Sequence, residues 1–316
     1  MVTAASTANA IVVLIDATHG VVEQTKRHSF IASLLSIPHV IVCINKMDLV
    51  DYSETIFNEI VEQFEAFSSK LLFKDIRFSP ICALDGDNIV NRSKKMDWYQ
   101  GAQLLHTLET LHVGSDINKV DARFPVQTIL NVQHNDHPEN RVLGGRIASG
   151  IFRKGDEITV LPSGDTSFIA HISTYDGELK EAFAPMSVSI NLTDNLIVNR
   201  GDMIVRTGNK PQITTEIEVM LCWLNKSPAD PKSNYFLQHT SNEQLGRISE
   251  IIYKYDVQTH SRSTKDKILG MNDIARVKLK VNQPIMIDSY RTNRTTGSIV
   301  LVDSITNDTV AAGMII

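Results

Sequence analysis

The sharpest chemistry in the chain lies in Asn45-Lys46-Met47-Asp48, a tetrapeptide of the form NKxD. An ionised aspartate presents two acceptor oxygens. Guanine offers N1–H and its exocyclic N2 amino group as two adjacent donors, so one carboxylate at Asp48 pairs with both. Adenine has no such donor pair and leaves a buried carboxylate unmatched, which is the costly case. The Asn45 side chain reaches the N7 side of such a base and ties neighbouring loops together. The aliphatic stem of Lys46 lies flat on a purine face, and Met47 completes the set as the motif's free position. A second turn-rich loop, Cys82-Ala83-Leu84-Asp85-Gly86-Asp87-Asn88, adds a backbone N–H at Ala83 for guanine O6 and the Leu84 side chain for the other face of the base. Four residues with one free position also describe a polar turn closing a strand. Two such loops in this order, one strand–helix unit apart, favour the base-reading site.

The elements that must position these loops are legible as an α/β pattern. Ala10-Ile-Val-Val-Leu-Ile-Asp16 and His39-Val-Ile-Val-Cys-Ile-Asn45 are short apolar runs, and residues 73–82 form a weaker third. Runs of this kind suit parallel strands buried on both faces, and ligands of such sheets bind beyond the strands' C-terminal ends. Phe30, Ile31, Leu34 and Leu35 have helical spacing between the first two strands. Asp51-Tyr52-Ser53-Glu54 has the form of a capping box, with Asp51 as N-cap. It opens a helix with Ile56, Phe57, Ile60, Val61, Phe64 and Phe67 on one face. A last helix over residues 101–112 uses Leu104, Leu105, Leu108 and Leu111.

After Leu111 the texture changes. Residues 113–123 read as a linker. Beyond it the helical period vanishes, and short β-rich pieces recur between Gly and Asn/Asp turns, the pattern of small closed barrels. The expected layout is an α/β part over 1–122, a β-barrel over 123–212 and a second β-barrel over 213–316.

Composition narrows the function classes. Apolar residues are 42 % and charged residues 21 %, and 31 Lys plus Arg against 36 Asp plus Glu leave a net charge of −5. A mildly acidic chain gives no general support for nucleic-acid binding. Three scattered cysteines, Cys43, Cys82 and Cys222, make neither a disulfide framework nor a zinc site and fit a reducing, cytoplasmic setting. No apolar run has the ~20 residues of a membrane helix. Other titratable residues take structural readings: Asp16 closes the first strand; His19, His28 and His39 lack metal-ligand spacing; His134, Asp136 and His137 form a surface turn. Lys278, Lys280, Arg291 and Arg294 belong to a solvated barrel face, and Trp98 and Tyr99 anchor the last helix. No residue set suggests a catalytic group or a metal site, and no GxxxxGK[ST] phosphate loop occurs.

Taken together, NKxD, the CAL loop and two trailing barrels resemble the translation-factor GTPases. Within them the chain is most similar to the large, GTP-binding subunits of heterodimeric bacterial sulfate adenylyltransferases. The similar stretches include Asn45-Lys-Met-Asp-Leu-Val-Asp-Tyr-Ser53, Ala83-Leu-Asp-Gly-Asp-Asn88, Asp97-Trp-Tyr-Gln-Gly101, Arg123-Phe-Pro-Val-Gln127, Gly145-Arg-Ile-Ala-Ser-Gly150 and Thr296-Gly-Ser-Ile-Val-Leu-Val-Asp303. The resemblance implies a GTP-binding regulatory subunit. Its GTP hydrolysis drives a small ATP-utilising partner subunit that makes adenylyl sulfate from ATP and sulfate, with Mg2+ beside the GTP. It also implies that the phosphate loop, the Mg2+ ligands and the water-positioning motif precede the segment that begins at Met1. The chain is thus expected to be an N-terminally truncated member, inactive alone, with its first strand left without a neighbour and its α/β third the least stable part. Ala4 for Gly and Cys82 for Ser depart from the family pattern. Two alternatives stand beside this reading: an elongation-factor-like GTPase that binds tRNA, and a non-enzymatic fragment that docks a partner.

Overall fold

The computed structural model describes residues 8–71, 73–112, 118–134, 137–230, 232–257, 259 and 261–316, with backbone alone at 131–134 and 137–140. The chain divides into two compact units. One holds Met1–Ser115 with Asp256–Ser261, the other Asp116–Tyr255 with Arg262–Ile316. Ala4, residues 113–117 of the expected linker, and the His134, Asp136 and His137 side chains lie outside the described residues.

The first unit is a three-stranded parallel sheet with helices between the strands. Strand β1 (Ala10–Asp16) leads to helix α1 (Glu23–Leu34), β2 (His39–Asn45), a 3-10 turn (Met47–Val50), α2 (Glu54–Ser68), β3 (Asp75–Pro80) and α3 (Leu104–Thr110). The sheet order is β1-β2-β3. β2 is the central strand, with residues 40–44 all buried, as its unbroken apolar run requires. Val13 and Ile15 of β1 and Val40, Val42 and Ile44 of β2 form one core with Phe57, Ile60 and Phe64 of α2.

Three sequence expectations need correction here. The third strand is shorter than residues 73–82. The N-cap of α2 is Ser53, not Asp51: Ser53 Oγ accepts from the Ile56 N–H at 3.5 Å. Asp51 and Tyr52 instead take left-handed φ of 51° and 54°, turning the chain back out of the 3-10 turn. Third, α3 shows a different face. Leu105 and Leu108 are 41 % exposed, whereas Thr107 and Leu111 are buried. The N–H groups of Leu104 and Leu105 donate to Asn88 O and Ile89 O, and this docking sets the helix's rotation. Trp98 and Tyr99 also pack on α2 through Phe57, with ring centroids 5.2 and 6.2 Å away.

The second unit contains two closed barrels. The first barrel is built from β4 (Arg123–His134), β5 (His137–Arg146), β6 (Ile151–Arg153), β7 (Glu157–Leu161), β8 (Thr166–Thr174), β9 (Gly177–Leu179), β10 (Glu181–Phe183), β11 (Ser187–Leu192) and β12 (Met203–Arg206). Its sheet runs β11-β5-β4-β12-β7-β8, and β8 pairs back onto β11. The second comprises β13 (Gln212–Trp223), β14 (Tyr235–His239), β15 (Asn242–Asp256), β16 (Ser261–Ser263), β17 (Ile274–Ile287), β18 (Ser298–Asp303) and β19 (Thr309–Ile315). It runs β14-β18-β19-β13-β17-β15, closed by β14 on β15. Closure removes the exposed edges that open sheets present.

A buried polar cluster joins the barrels. The Arg123 guanidinium at the start of β4 donates from Nε and Nη2 to the two oxygens of Asp288, at 2.9 and 3.0 Å, and from Nη1 to Asn209 O at 2.8 Å. Asp288, just after β17, also accepts from Thr296 Oγ1 at 2.6 Å. Gly150 sits beside this cluster with φ 76°, and a Cβ there would stand 2.4 Å from Ala122 Cα, so the approach requires glycine.

Candidate functional site

Parallel pairing in register brings the candidate residues together. Asp16 of β1 lies opposite Asn45 of β2, and Ile44 lies opposite Pro80 of β3. The segments leaving all three strands therefore emerge at one end of the sheet, the end at which α/β folds bind ligands.

Asn45 ties two of these segments. Its Oδ1 accepts the Ala83 N–H at 2.9 Å. The Ala83 N–H that the sequence assigns to a base oxygen is thus already used within the protein. Lys46 takes a left-handed φ of 63°, which swings the chain into the 3-10 turn. Its ammonium pairs with Asp16 Oδ2 at 2.7 Å, and its side chain stays half exposed. Asp16 Oδ1 also accepts the Thr18 N–H and hydroxyl at 2.9 and 2.7 Å. The Lys46 ammonium first, and then Thr18, hold the Asp16 carboxyl far below the usual carboxylate range. Asp16 therefore closes β1 and holds Lys46, consistent with a structural carboxylate.

Met47 is fully buried in the core of the unit, so it anchors the turn from beneath. Asp48 stands in the turn, and its Oδ1 accepts from the Cys82 thiol at 3.1 Å. Burial, with the nearby Asp48 carboxylate, pushes the Cys82 thiol up, which keeps it a neutral donor. A thiol here performs the task of a hydroxyl, donating one weak hydrogen bond that leaves the second Asp48 oxygen uncommitted to Cys82. Leu84 is 88 % exposed at the rim. An apolar side chain so open to solvent is available to cover a flat ligand.

Sequence reasoning missed a further group. Tyr52 O–H donates to Asp85 Oδ2 at 3.2 Å, and Lys95 Nζ donates to both, at 2.8 and 2.9 Å. Lys95 Nζ also lies 3.4 Å from Asp87 Oδ2. Tyr52 reads as part of a cap, and no spacing in the sequence links it to Lys95. Their contact across 43 positions is a tertiary fact.

The structure places Asn45, Lys46, Asp48, Ala83 and Leu84 around one end of the sheet and sends Met47 into the core. The arrangement presents a carboxylate, an exposed apolar side chain and a lysine stem, the set suited to a flat base with paired donors. Cys82, Asp85 and Asp87 are the one group of metal-ligating side chains clustered among the described residues. The Lys95 ammonium already sits against both carboxylates, and a hard cation such as Mg2+ prefers oxygen ligands alone. This cluster therefore does not fit Mg2+.

Comparison with known proteins adds the following. A family model for the elongation factor Tu GTP binding domain matches residues 1–139. One for the GTP-eEF1A C-terminal domain-like family matches residues 216–316. The bifunctional enzyme CysN/CysC of Rhodopirellula baltica is 49 % identical over all of this chain and 48 % of its own length. Sulfate adenylyltransferase subunit 1 of Bacteroides fragilis is 45 % identical, with 65 % of its length covered. Subunit 1 of Sulfurovum sp. is 44 % identical over all of this chain, with 67 % of its own length covered. The chain thus spans about half to two thirds of the length of these curated relatives. Among solved structures, sup35 complexed with GMPPNP aligns with a TM-score of 0.57 at 22 % identity, over 98 % of this chain and 78 % of that one. At that identity the likeness speaks to the fold alone, an α/β part followed by two barrels.

Proposed function

The chain belongs to the family of sulfate adenylyltransferase subunit 1, and from that premise we propose that its first unit reads the guanine base of GTP. The observation that carries this reading is the pair of bonds at the sheet's end. Asn45 holds Ala83, and Cys82 holds Asp48. A carboxylate restrained by one donor has lost rotamer freedom before the base arrives, so less ordering entropy opposes binding. Asp48 accepts from guanine N1–H and N2; Lys46, steered by Asp16, lies along one face of the base, and Leu84 closes the other. Ala83 serves by fixing Asn45. GTP supplies the free energy of its terminal phosphate bond, and no residue described here is assigned to that step or to Mg2+.

In this reading the protein is a GTP-binding regulatory subunit. Its GTP hydrolysis is coupled to the formation of adenylyl sulfate from ATP and sulfate by a small catalytic subunit, in the cytoplasm. The α/β part over 1–122 reads the nucleotide. The barrels over 123–212 and 213–316 dock the partner, with the Arg123–Asp288 pair holding them in one orientation. No helix among the described residues is long and apolar enough to cross a membrane. An elongation-factor role with tRNA has less support, because the relatives from Bacteroides fragilis and Sulfurovum sp. are both sulfate adenylyltransferase subunit 1.

Titration of the chain with GDP, ADP and xanthosine diphosphate tests the base reading. GDP is expected to bind and ADP not. Equal affinity for GDP and ADP would overturn it. Co-purification with the small ATP-utilising subunit, but not with tRNA, tests the partner.

A further inference from the structure

Lys95 is a surface lysine whose ammonium is held on three sides. It donates to Tyr52 Oη at 2.8 Å and Asp85 Oδ2 at 2.9 Å, lies 3.4 Å from Asp87 Oδ2, and stands 4.8 Å from the centre of the Tyr52 ring. Tyr52 O–H closes the triangle onto Asp85 at 3.2 Å. The partners come from two segments of the candidate site. Tyr52 ends the turn that carries Asp48, its N–H donating to Met47 O at 2.8 Å. Asp85 and Asp87 lie in the loop that carries Cys82 and Ala83.

The backbone beneath Lys95 is fixed independently. Its N–H donates to Ser93 Oγ at 3.1 Å, and the Ser93 N–H donates to the buried Asn88 Oδ1 at 2.8 Å. Three residues on, Trp98 Nε1 donates to Tyr52 O at 3.0 Å. Cys82, Asp85 and Asp87 have their ligand atoms within 4.8 Å of one another, close enough for one cation. The ammonium set against both carboxylates supplies that charge from within the chain.

We propose that Lys95 is a positioning residue for base recognition: its ammonium fastens the turn carrying Asp48 to the loop carrying Ala83, through residues other than those of the Asn45–Ala83 and Asp48–Cys82 bonds. The proposal rests on the guanine reading above. Three ties at separated points fix two loops against each other, where two leave a hinge. Tyr52 and Asp85 both raise the affinity of Lys95 for its proton, while Lys95 lowers that of Asp85. The pair therefore stays charged through neutral pH. Because the group is half exposed, salt weakens it.

The test uses the full chain, wild type and the variants Lys95→Met, Lys95→Arg and Tyr52→Phe, with two readouts. The first is amide hydrogen exchange without nucleotide. Lys95→Met is expected to speed exchange over 46–52 and 82–87 about three- to fivefold, to leave β2 and α2 unchanged, and to lose this effect at high salt. Lys95→Arg restores protection, and Tyr52→Phe gives an intermediate value. Wild-type exchange rates in Lys95→Met, or a uniform rise across the unit, would overturn the proposal. The second readout is the ratio of affinities for GDP and inosine diphosphate, which lacks the N2 amino group. A slackened turn is expected to lower that ratio about threefold, a change that general destabilisation does not produce. If the wild-type chain binds the two equally, the guanine reading fails and this role with it. If the wild type discriminates and Lys95→Met discriminates equally, the positioning role alone fails.

Discussion

The two units bury their apolar residues by different geometries. In the first, β1 is paired on its β2 side only among the described residues, and Val12 and Leu14 are 40 % and 62 % exposed while Val13 and Ile15 on the opposite face are buried. In the second, each barrel closes on itself, and its inward residues form one continuous cluster. A strand edge with unpaired N–H and C=O groups beside apolar side chains opens locally at low cost, whereas a closed barrel opens only by breaking a ladder. The closed barrels carry the buried ion pair, and the unit whose β1 is paired on one side among the described residues carries the candidate site.

The largest expected effect is on the barrel unit. Arg123→Met leaves Asp288 buried without its bidentate partner, and removing one member of such a pair costs about 3–5 kcal/mol. Urea unfolding followed by Trp223, fully buried in the second barrel, reads it. A loss below about 1 kcal/mol would show that the barrels do not depend on this pair.

A smaller effect is expected at the candidate site. Asp48→Asn exchanges one acceptor for a donor, weakens GDP by roughly 1.5–3 kcal/mol and favours xanthosine diphosphate. The barrel transition should not move. If it does, the two units are coupled more tightly than their cores suggest.

Acidification separates the units without mutation. His239 is buried in the second barrel with its Nε2 2.7 Å from Thr296 O. Burial lowers its proton affinity below the ordinary 6.5, against smaller opposing effects of Thr296 and Asp288. The unfolded chain then binds the proton more readily than the folded one, so this stability is full above pH 6.5 and declines as pH falls below it. Asp16 in the first unit acts in the same direction but in a lower pH window. Its lowered affinity contributes stability that is present above the ordinary 3.8 and is lost only as pH falls below that value. Melting of the barrels between pH 7 and 5 should show the His239 slope, and His239→Gln should flatten it.

The smallest effect is on β1. Leu14→Thr removes a side chain already largely in water, and its stability change should stay within about 0.5 kcal/mol. Amides over 11–15 should exchange faster than those of the barrel strands. Equal protection would show that the open edge carries no penalty, and the contrast between the units would fall with it.

The helix and strand identities of the first unit, the change of texture into barrels, and the two loops bearing Asn45, Asp48, Ala83 and Leu84 were legible in the sequence. Each is written in residues close along the chain. A run of Val and Ile makes a buried strand, a 3.6-residue period makes an amphipathic helix, and a polar motif at a strand's end makes a turn. Where rotation depended on a distant contact, or capping on an uncommon backbone conformation, the reading slipped. The face of α3 follows from its docking on Asn88 and Ile89, and the cap of α2 from the left-handed Asp51 and Tyr52. Arginine and lysine are ordinarily solvated, so nothing local marks Arg123 as buried or Lys95 as a tie. The partner of Arg123 lies 165 positions away and Tyr52 lies 43 positions from Lys95. The sequence by itself determined the elements and the chemistry offered at their ends, because both depend on near neighbours. Which charges meet, and which donors reach Asp48, only the tertiary structure decided, because strand register and barrel closure bring those atoms within hydrogen-bonding distance.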